Sequence, residues 1–467
     1  MKKQIIYMLC TTALLSSCHI YKSYDRPEDI LTAGLYRDTV ATGDTLASDT
    51  ANFGNLPWRE VFTDPQLQTL IEQGLANNTD LQTAILKVEE AKNALMTSRL
   101  AYAPSLALSP QGTISSFDKS AATKTYSLPV TASWEIDLFG KLLNAKRGAQ
   151  ATLLQTKAYR QAVQTQIIAG IANTYYTLLM LDRQMDISEQ TADIMKRNVE
   201  TMRAMKDAAM TNAAAVSQSE TAYAQVLASL PAIRQSIRET ENALCMLLRQ
   251  APQTIKRSTL EEQQLPSEFS VGIPLQLLSN RPDVKNAEYS LAQAFYNTAG
   301  ARSAFYPALS LSGTLGWTND GGVTTLDPAK WIFNAAASLV QPIFNAGRNQ
   351  AQLRIAKAQQ QEALLSFQQT LLNAGAEVNN ALAKCQSARS KVDLRQKQVA
   401  SLETAVESTQ LLMRHGSTTY LEVLTAQQTL LSAQLSQIND RFSEIQAIVD
   451  LYHALGGGRE IESETDK

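Results

Sequence analysis

"YSLPVTASWEIDLFG", residues 126–140, alternates. Every even position from Tyr126 to Leu138 is apolar (Tyr126, Leu128, Val130, Ala132, Trp134, Ile136, Leu138), while the odd positions read Ser127, Pro129, Thr131, Ser133, Glu135 and Asp137. A period of two marks a strand with one apolar and one polar face. Most of the remaining chain is Ala, Gln, Leu and Ser with few breakers, the composition of long helices. A two-faced strand among such helices is the feature a fold has to explain.

The alternation recurs further along. Leu309, Leu311, Leu315 and Trp317 share one parity against Ser310, Ser312 and Thr314, and Trp331, Phe333, Ala335, Ala337 and Leu339 lead a fourth strand. With the stretch from Pro104 to Ser115 the chain owns four strands, each long enough to cross a bilayer when tilted. Four strands cannot form a closed wall, because single-chain outer-membrane barrels start at about eight. An open sheet in lipid would leave edge N–H and C=O groups without partners, at a heavy cost for each. Several copies must therefore pool their strands. Two would give eight, three twelve and four sixteen, and the alternation by itself does not choose.

The chain is a tandem duplication. Residues 75–109 match 278–312 at a constant offset of 203: Leu75 with Leu278, Asp80 with Asp283, Arg99 with Arg302, Pro104 with Pro307, Leu108 with Leu311. Each half reads helix, strand, strand, very long helix, helix. From about Asn144 to Met210, and again from Arg348 to Met413, there is no proline. A helix of that length runs on the order of 100 Å, more than a globular core needs. In the second, Leu364, Leu371, Val378, Cys385, Val392, Val399, Val406 and Met413 take one heptad core position. Phe367, Ala374, Ala381, Ala388, Arg395, Leu402 and Thr409 take the other. Val216, Tyr223, Leu230, Ile237 and Leu244 repeat the period in a following helix. A sustained 3.5-residue period predicts left-handed coiled-coil packing. The fold class is therefore mainly α with membrane β.

Location is written at the N-terminus. Lys2 and Lys3 precede an apolar run from Ile5 to Leu15, which is too short to span a membrane and has the shape of a secretory signal. It ends in Leu15-Ser16-Ser17-Cys18, which resembles the bacterial lipobox and implies a lipid on Cys18 after removal of residues 1–17. A polar stretch to Asn52 reads as a tether, residues 53–270 and 271–458 as the two repeats, and 459–467 as a polar tail. A net charge of -2 without a basic block gives no footprint for nucleic acid.

The segments "LPWREVFTDPQLQTLIEQGLANNTDLQTA" (56–84), "WEIDLFGK" (134–141), "SNRPDVKNAEYSLAQA" (279–294), "QPIFNAGR" (341–348) and "GSTTYLEVLTAQQTLLSAQ" (416–434) resemble the TolC-like outer-membrane efflux factors, in particular their lipoprotein branch. The resemblance covers Tyr24 to Gly458. It implies a homotrimer with a twelve-strand barrel in the outer membrane and a helical tunnel through the periplasm. The tip of that tunnel would meet a periplasmic adaptor protein and an inner-membrane RND-type transporter. It also implies a periplasmic gate lined by acidic residues after the glycine of the last helical hairpin. Carried over, Gly416 marks the hairpin and Glu422 the first acidic position, so a trimer would hold three carboxylates around one constriction. Such rings attract cations. Thr425 stands where a second acid is common, and Ala215 matches Glu422 in the first half. Glu135 and Asp137, on the polar parity of their strand, are candidates to line the lumen. Arg281-Pro282-Asp283 reads as a helix start.

Enzyme chemistry finds no support. His19, His415 and His453 lack metal-ligand spacing, and there is no G-x-S-x-G, no P-loop and no G-x-G-x-x-G. No cofactor is expected beyond the lipid on Cys18, and no metal. Cys385 reads as a small hydrophobe. Two alternatives stand beside the efflux duct: an exit duct for secreted protein, and a periplasmic coiled-coil scaffold lipoprotein without a pore.

Overall fold

The computed structural model describes residues 21–27, 53–118, 121–264, 266, 281–318 and 330–459. The signal segment, Cys18 and all but the first residue of the tail lie outside the described residues. In chain order the elements are α1 (Trp58–Val61), α2 (Pro65–Asn77), α3 (Thr79–Leu100), β1 (Ser105–Leu108), β2 (Gln111–Ser115), β3 (Thr123–Ile136), α4 (Lys141–Asp207) and α5 (Ala213–Leu247). The second half supplies α6 (Pro282–Ser303), β4 (Ala308–Thr318), β5 (Trp331–Val340), α7 (Arg348–Arg414) and α8 (Tyr420–Ala454).

The duplication is exact in helix length. α3 and α6 have 22 residues each, α4 and α7 have 67, and α5 and α8 have 35. The chain divides into two compact units, each drawing on both halves. The first comprises Met1–Ile30, Leu86–Ala158 and Lys285–Thr370, the second Leu31–Ile85, Tyr159–Val284 and Leu371–Lys467.

The first unit holds the sheet, antiparallel throughout, in the order β1/β2, β3, β4, β5. The strand expected from Pro104 to Ser115 is split into β1 and β2. Both pair with β3 in one continuous register, Leu108 opposite Val130 and Gln111 opposite Ser127. The gap falls at Ser109-Pro110, and the physical reason is that Pro110 has no N–H to give the ladder. Ser109 still donates to the Pro129 carbonyl at 3.0 Å. Register also sorts the faces. Leu128, Val130, Trp134 and Ile136 stand opposite Trp317, Leu315, Leu311 and Leu309, and the last three of these oppose Phe333, Ala337 and Leu339 in turn. Ser127, Thr131, Ser133 and Glu135 oppose Thr318, Thr314, Ser312 and Ser310.

The second unit carries the main core. Phe53, Trp58, Val61, Phe62, Leu67 and Ile71 pack with Ile168, Ile171, Tyr175 and Tyr176 of α4, Leu244 and Cys245 of α5, and Ile445, Leu451 and Tyr452 of α8. Asp64 organises its edge. It caps α2 by accepting from Gln66 N at 2.8 Å, and its other oxygen accepts from Tyr175 Oη at 2.6 Å and Gln263 Nε2 at 2.9 Å. Burial pushes this carboxyl up, but the hydrogen bonds from Tyr175, Gln263 and Gln66 outweigh it and hold Asp64 below its ordinary pKa.

The heptad reading holds along α7. Phe367, Leu371, Ala374, Val378, Ala381, Cys385, Ala388 and Val399 are buried, and Val392, Arg395, Leu402, Val406 and Thr409 are half-buried. Burial pushes the Cys385 thiol up to about 11, which keeps it protonated and inert.

Candidate gate and membrane sheet

Two helical hairpins close one end of the second unit, and both turn by the same geometry. After α4, Ala209 N donates to Lys206 O and Met210 N to Met205 O. After α7, Gly416 N donates to Met413 O and Ser417 N to Leu412 O. This paired pattern is the Schellman motif, which needs a left-handed residue just past the helix. Gly416 supplies it at φ 72°, and Ala209 supplies it at φ 60° despite carrying a Cβ. The hairpins are joined side by side. Ser219 and Tyr420 hydroxyls lie 3.0 Å apart, Asn198 Nδ2 donates to Gln427 Oε1 at 2.7 Å, and Met195, Ala222, Val226 and Leu424 form a small buried cluster.

Glu422 sits in the first turn of α8, exposed, where its charge favours the helix N-terminus. Thr418 Oγ1 donates to its carboxylate. In the first half the matching place is Ala215, and Asn212 caps α5 there by accepting from Ala215 N at 3.0 Å. Thr425, one turn on, is exposed and returns its hydroxyl to Leu421 O at 2.8 Å.

Glu135 and Asp137 lie together at the end of β3, and both are engaged locally. Lys141 Nζ contacts Glu135 at 2.7 and 3.0 Å, and Asp137 Oδ2 accepts from Leu143 N at 2.8 Å in the first turn of α4. These are the two lumen-lining candidates of the strand's polar parity, and each has a local partner. Asp137 stands four residues ahead of Lys141, with Gly140 in the N-cap position, so the local sequence carries no N-cap signature for this role.

Arg281 does more than lead into the helix that starts at Pro282. It is buried, 5% exposed, and ties three distant points together. Its guanidinium donates to Ala454 O at 2.6 Å, to Asp283 at 2.8 and 3.0 Å, and to Glu377 at 2.7 Å. His453 Nδ1 stands 3.5 Å from the same Glu377. Nothing in the local motif reveals a reach of 96 residues to Glu377.

The sheet's apolar face is open. Leu106 is 72% exposed, Leu108 62%, Phe333 79% and Leu339 64%, a contiguous surface that water would not tolerate. The outer edges of β1/β2 and β5 pair with no described strand. Among the described residues no helix is long and apolar enough to cross a membrane, so the sheet is the element suited to lipid.

Comparison with known proteins agrees. The model of the outer membrane efflux protein family matches residues 70–248 and 273–457, most of the chain, and this protein belongs to that family. It is 29% identical to the cation efflux system protein CusC of Escherichia coli K12 over 96% of this chain and 98% of that protein. It is 27% identical to the probable outer membrane lipoprotein SilC of Salmonella typhimurium, over 98% and 99%. A solved structure of CusC superposes with a TM-score of 0.83 at 28% identity, covering 93% of this chain and 99% of that one. The open-state MtrE channel of Neisseria gonorrhoeae gives 0.84 at 26%, covering 94% and 98%. The chain is thus an outer-membrane efflux channel protein of TolC-like fold, and its family members are channels.

Proposed function

We propose that three copies of this chain form a passive exit duct for small molecules, the outer-membrane part of a tripartite pump. The carrying observation is the open sheet, with β1 and β2 end to end as one crossing, greasy on one face, polar on the other and with no further described strand beyond either edge. Pooling strands removes every edge at once, and the apolar face then meets lipid while the polar face lines the bore. Residues 1–17 are removed, Cys18 carries the lipid, and residues 18–52 tether it to two repeats, 53–270 and 271–458, followed by a polar tail. Glu135 and Asp137 line the upper bore where β3 returns to the helices.

The hairpin at Gly416 is the gate in this reading, with Glu422 of each copy forming a single carboxylate ring and Thr425 a neutral one above it. One ring makes the mouth mildly cation-attracting. The duct itself does no chemistry and binds no cofactor. A periplasmic adaptor would seat on the helical tip, and an inner-membrane RND-type transporter would supply the energy and choose the cargo. A pore-free scaffold would have no use for the sheet, and the likeness to efflux channels favours small cargo over secreted protein.

Lysine substitutions on the two faces of β3 test the reading. Leu128→Lys places a charge toward lipid, which costs about 2–4 kcal/mol near the midplane, and should abolish insertion. Ser127→Lys, one residue away, should insert and conduct. Equal behaviour of the two variants would overturn the barrel.

A further inference from the structure

The ends of the long helices next to the sheet carry charge of one sign. No Asp or Glu occurs from Ala91 to Phe117, from Leu138 to Leu181, from Tyr289 to Thr318 or from Lys330 to Gln361. The same stretches hold Lys92, Arg99, Lys141, Lys146, Arg147, Arg302, Arg348 and Arg354. Both halves of the duplication keep a cation at three matched places: Arg99 and Arg302, Lys141 and Arg348, Arg147 and Arg354.

Part of this set sits on the lipid-facing side of the first unit. Trp134, on the apolar face of β3, donates its indole N–H to Tyr102 O at 2.9 Å, and Lys146 Nζ lies 5.9 Å from the centre of the Tyr102 ring. Arg147 follows. Its Nη1 reaches the carbonyls of Tyr21 and Lys22 at 3.0 and 3.4 Å, and its guanidinium lies 5.9 Å from the Tyr296 ring. Tyr21 in turn donates to Leu138 O at 2.7 Å, which pins the segment just beyond Cys18 against the base of the sheet. Lys22 on that segment and Arg99 ahead of Tyr102 are exposed.

Apart from exposed Asp25 on the N-terminal segment, the acids nearby are already committed. Asp137 serves the start of α4, Glu135 pairs with Lys141, and Glu288 holds Arg26 at 2.6 and 2.8 Å further along the segment. Lys146 and Arg147 make no ion pair among the described residues, only the ring and carbonyl contacts given above.

We propose that Lys22, Lys146 and Arg147, with Arg99 beside them, form a headgroup site for an anionic phospholipid of the periplasmic leaflet. A phosphodiester bearing net charge would lie among the cations, and its acyl chains would run over Trp134, Val130, Leu106 and Leu108. Tyr102 and Trp134 mark the headgroup level, where amphipathic rings settle. A zwitterionic lipid presents the same phosphate with its charge cancelled, so the site discriminates by net charge.

The inference rests on the lipid-facing assignment of the apolar sheet face, and its test separates the two. Oligomer is reconstituted in nanodiscs of phosphatidylethanolamine with one fifth phosphatidylglycerol, released into detergent, and its retained lipids are counted by native mass spectrometry. Wild type should retain phosphatidylglycerol at least about fivefold above its share of the bilayer, with retention falling as salt rises. Lys22→Gln/Lys146→Gln should lose that enrichment while remaining an SDS-resistant, conducting oligomer, and Lys391→Gln/Lys397→Gln, on exposed α7 positions in the second unit, should keep it. Arg147 stays intact because it also holds the N-terminal segment. Equal retention of the two lipids by wild type, undiminished enrichment in the double variant, or displacement by water-soluble glycerophosphate would each overturn the site. If the double variant fails to assemble, wild-type enrichment and its salt dependence decide alone. A channel that conducts without lipid preference would sink this inference and leave the barrel standing.

Discussion

At the scale of single residues, charge placement separates structural from functional acids. Glu377 is held by buried Arg281 and approached by His453, and their hydrogen bonds and charges, His453 first, overcome burial and lower its pKa from 4.5 to about 2. A carboxyl with a depressed folded pKa stabilises the fold above its unfolded value, and that stability is lost as pH falls through the folded one. Unfolding followed between pH 5 and 2 should therefore show wild type losing stability across this window. Glu377→Gln should begin less stable at neutral pH and change less on acidification. A parallel pair of curves would remove Glu377 from the account. Glu422 makes a different claim. Its side chain faces water and, among the described residues, bonds Thr418, so Glu422→Ala should leave assembly intact but lower the cation preference of the channel in a planar bilayer. Unchanged current and ion preference would reduce Glu422 to a helix-end charge.

At the scale of elements, the sheet depends on close approach as much as on pattern. Gly316 lies opposite Pro129 in β3, and a Cβ added there would fall 2.4 Å from Leu128 O and 2.6 Å from Pro129 Cα. Backbone cannot yield as a side-chain tip can, so Gly316→Ala should push β4 from β3 and cut the yield of heat-modifiable oligomer several-fold. Gly313→Ala is the control, since its Cβ would meet only Asn334 O at an ordinary 3.6 Å. Equal yields would show that the ladder bends to fit. These elements were legible because two periods, 2 and 3.5, are printed in the side chains themselves. β3 begins three residues before Tyr126 and ends at Ile136, and α7 keeps its expected seam from Leu364 to Thr409. What pattern could not yield was anything set by backbone chemistry or by contact across the chain. The split at Pro110, the use of Asp137 as a cap and the long reach of Arg281 all depend on which atoms meet after folding. Whether Glu422 guards a pore is set by neighbours in other copies, and no periodicity encodes that.

At the scale of the whole molecule, the open edges pose one question of number. Each chain brings four crossings, counting β1 and β2 as one strand interrupted at Ser109-Pro110, and every edge group left bare in lipid carries a desolvation cost with nothing to offset it. Rotational symmetry lets the β5 edge of one copy meet the β1/β2 edge of the next, a head-to-tail contact that must close into a ring or run on without end. Two, three or four copies give eight, twelve or sixteen strands, and each count is a permitted barrel. The helices carry the discriminating demand, because the same number must also seal a coiled-coil wall in which α7 keeps one heptad seam buried and leaves Leu365, Leu372 and Leu394 exposed for neighbours. Three copies is the number proposed above. The detergent-solubilised oligomer should therefore have the protein mass of three mature chains by native mass spectrometry, and the same preparation should conduct ions. A conducting species of two or four chains would break the trimer while keeping the pooled barrel, and a monomer that conducts would break both.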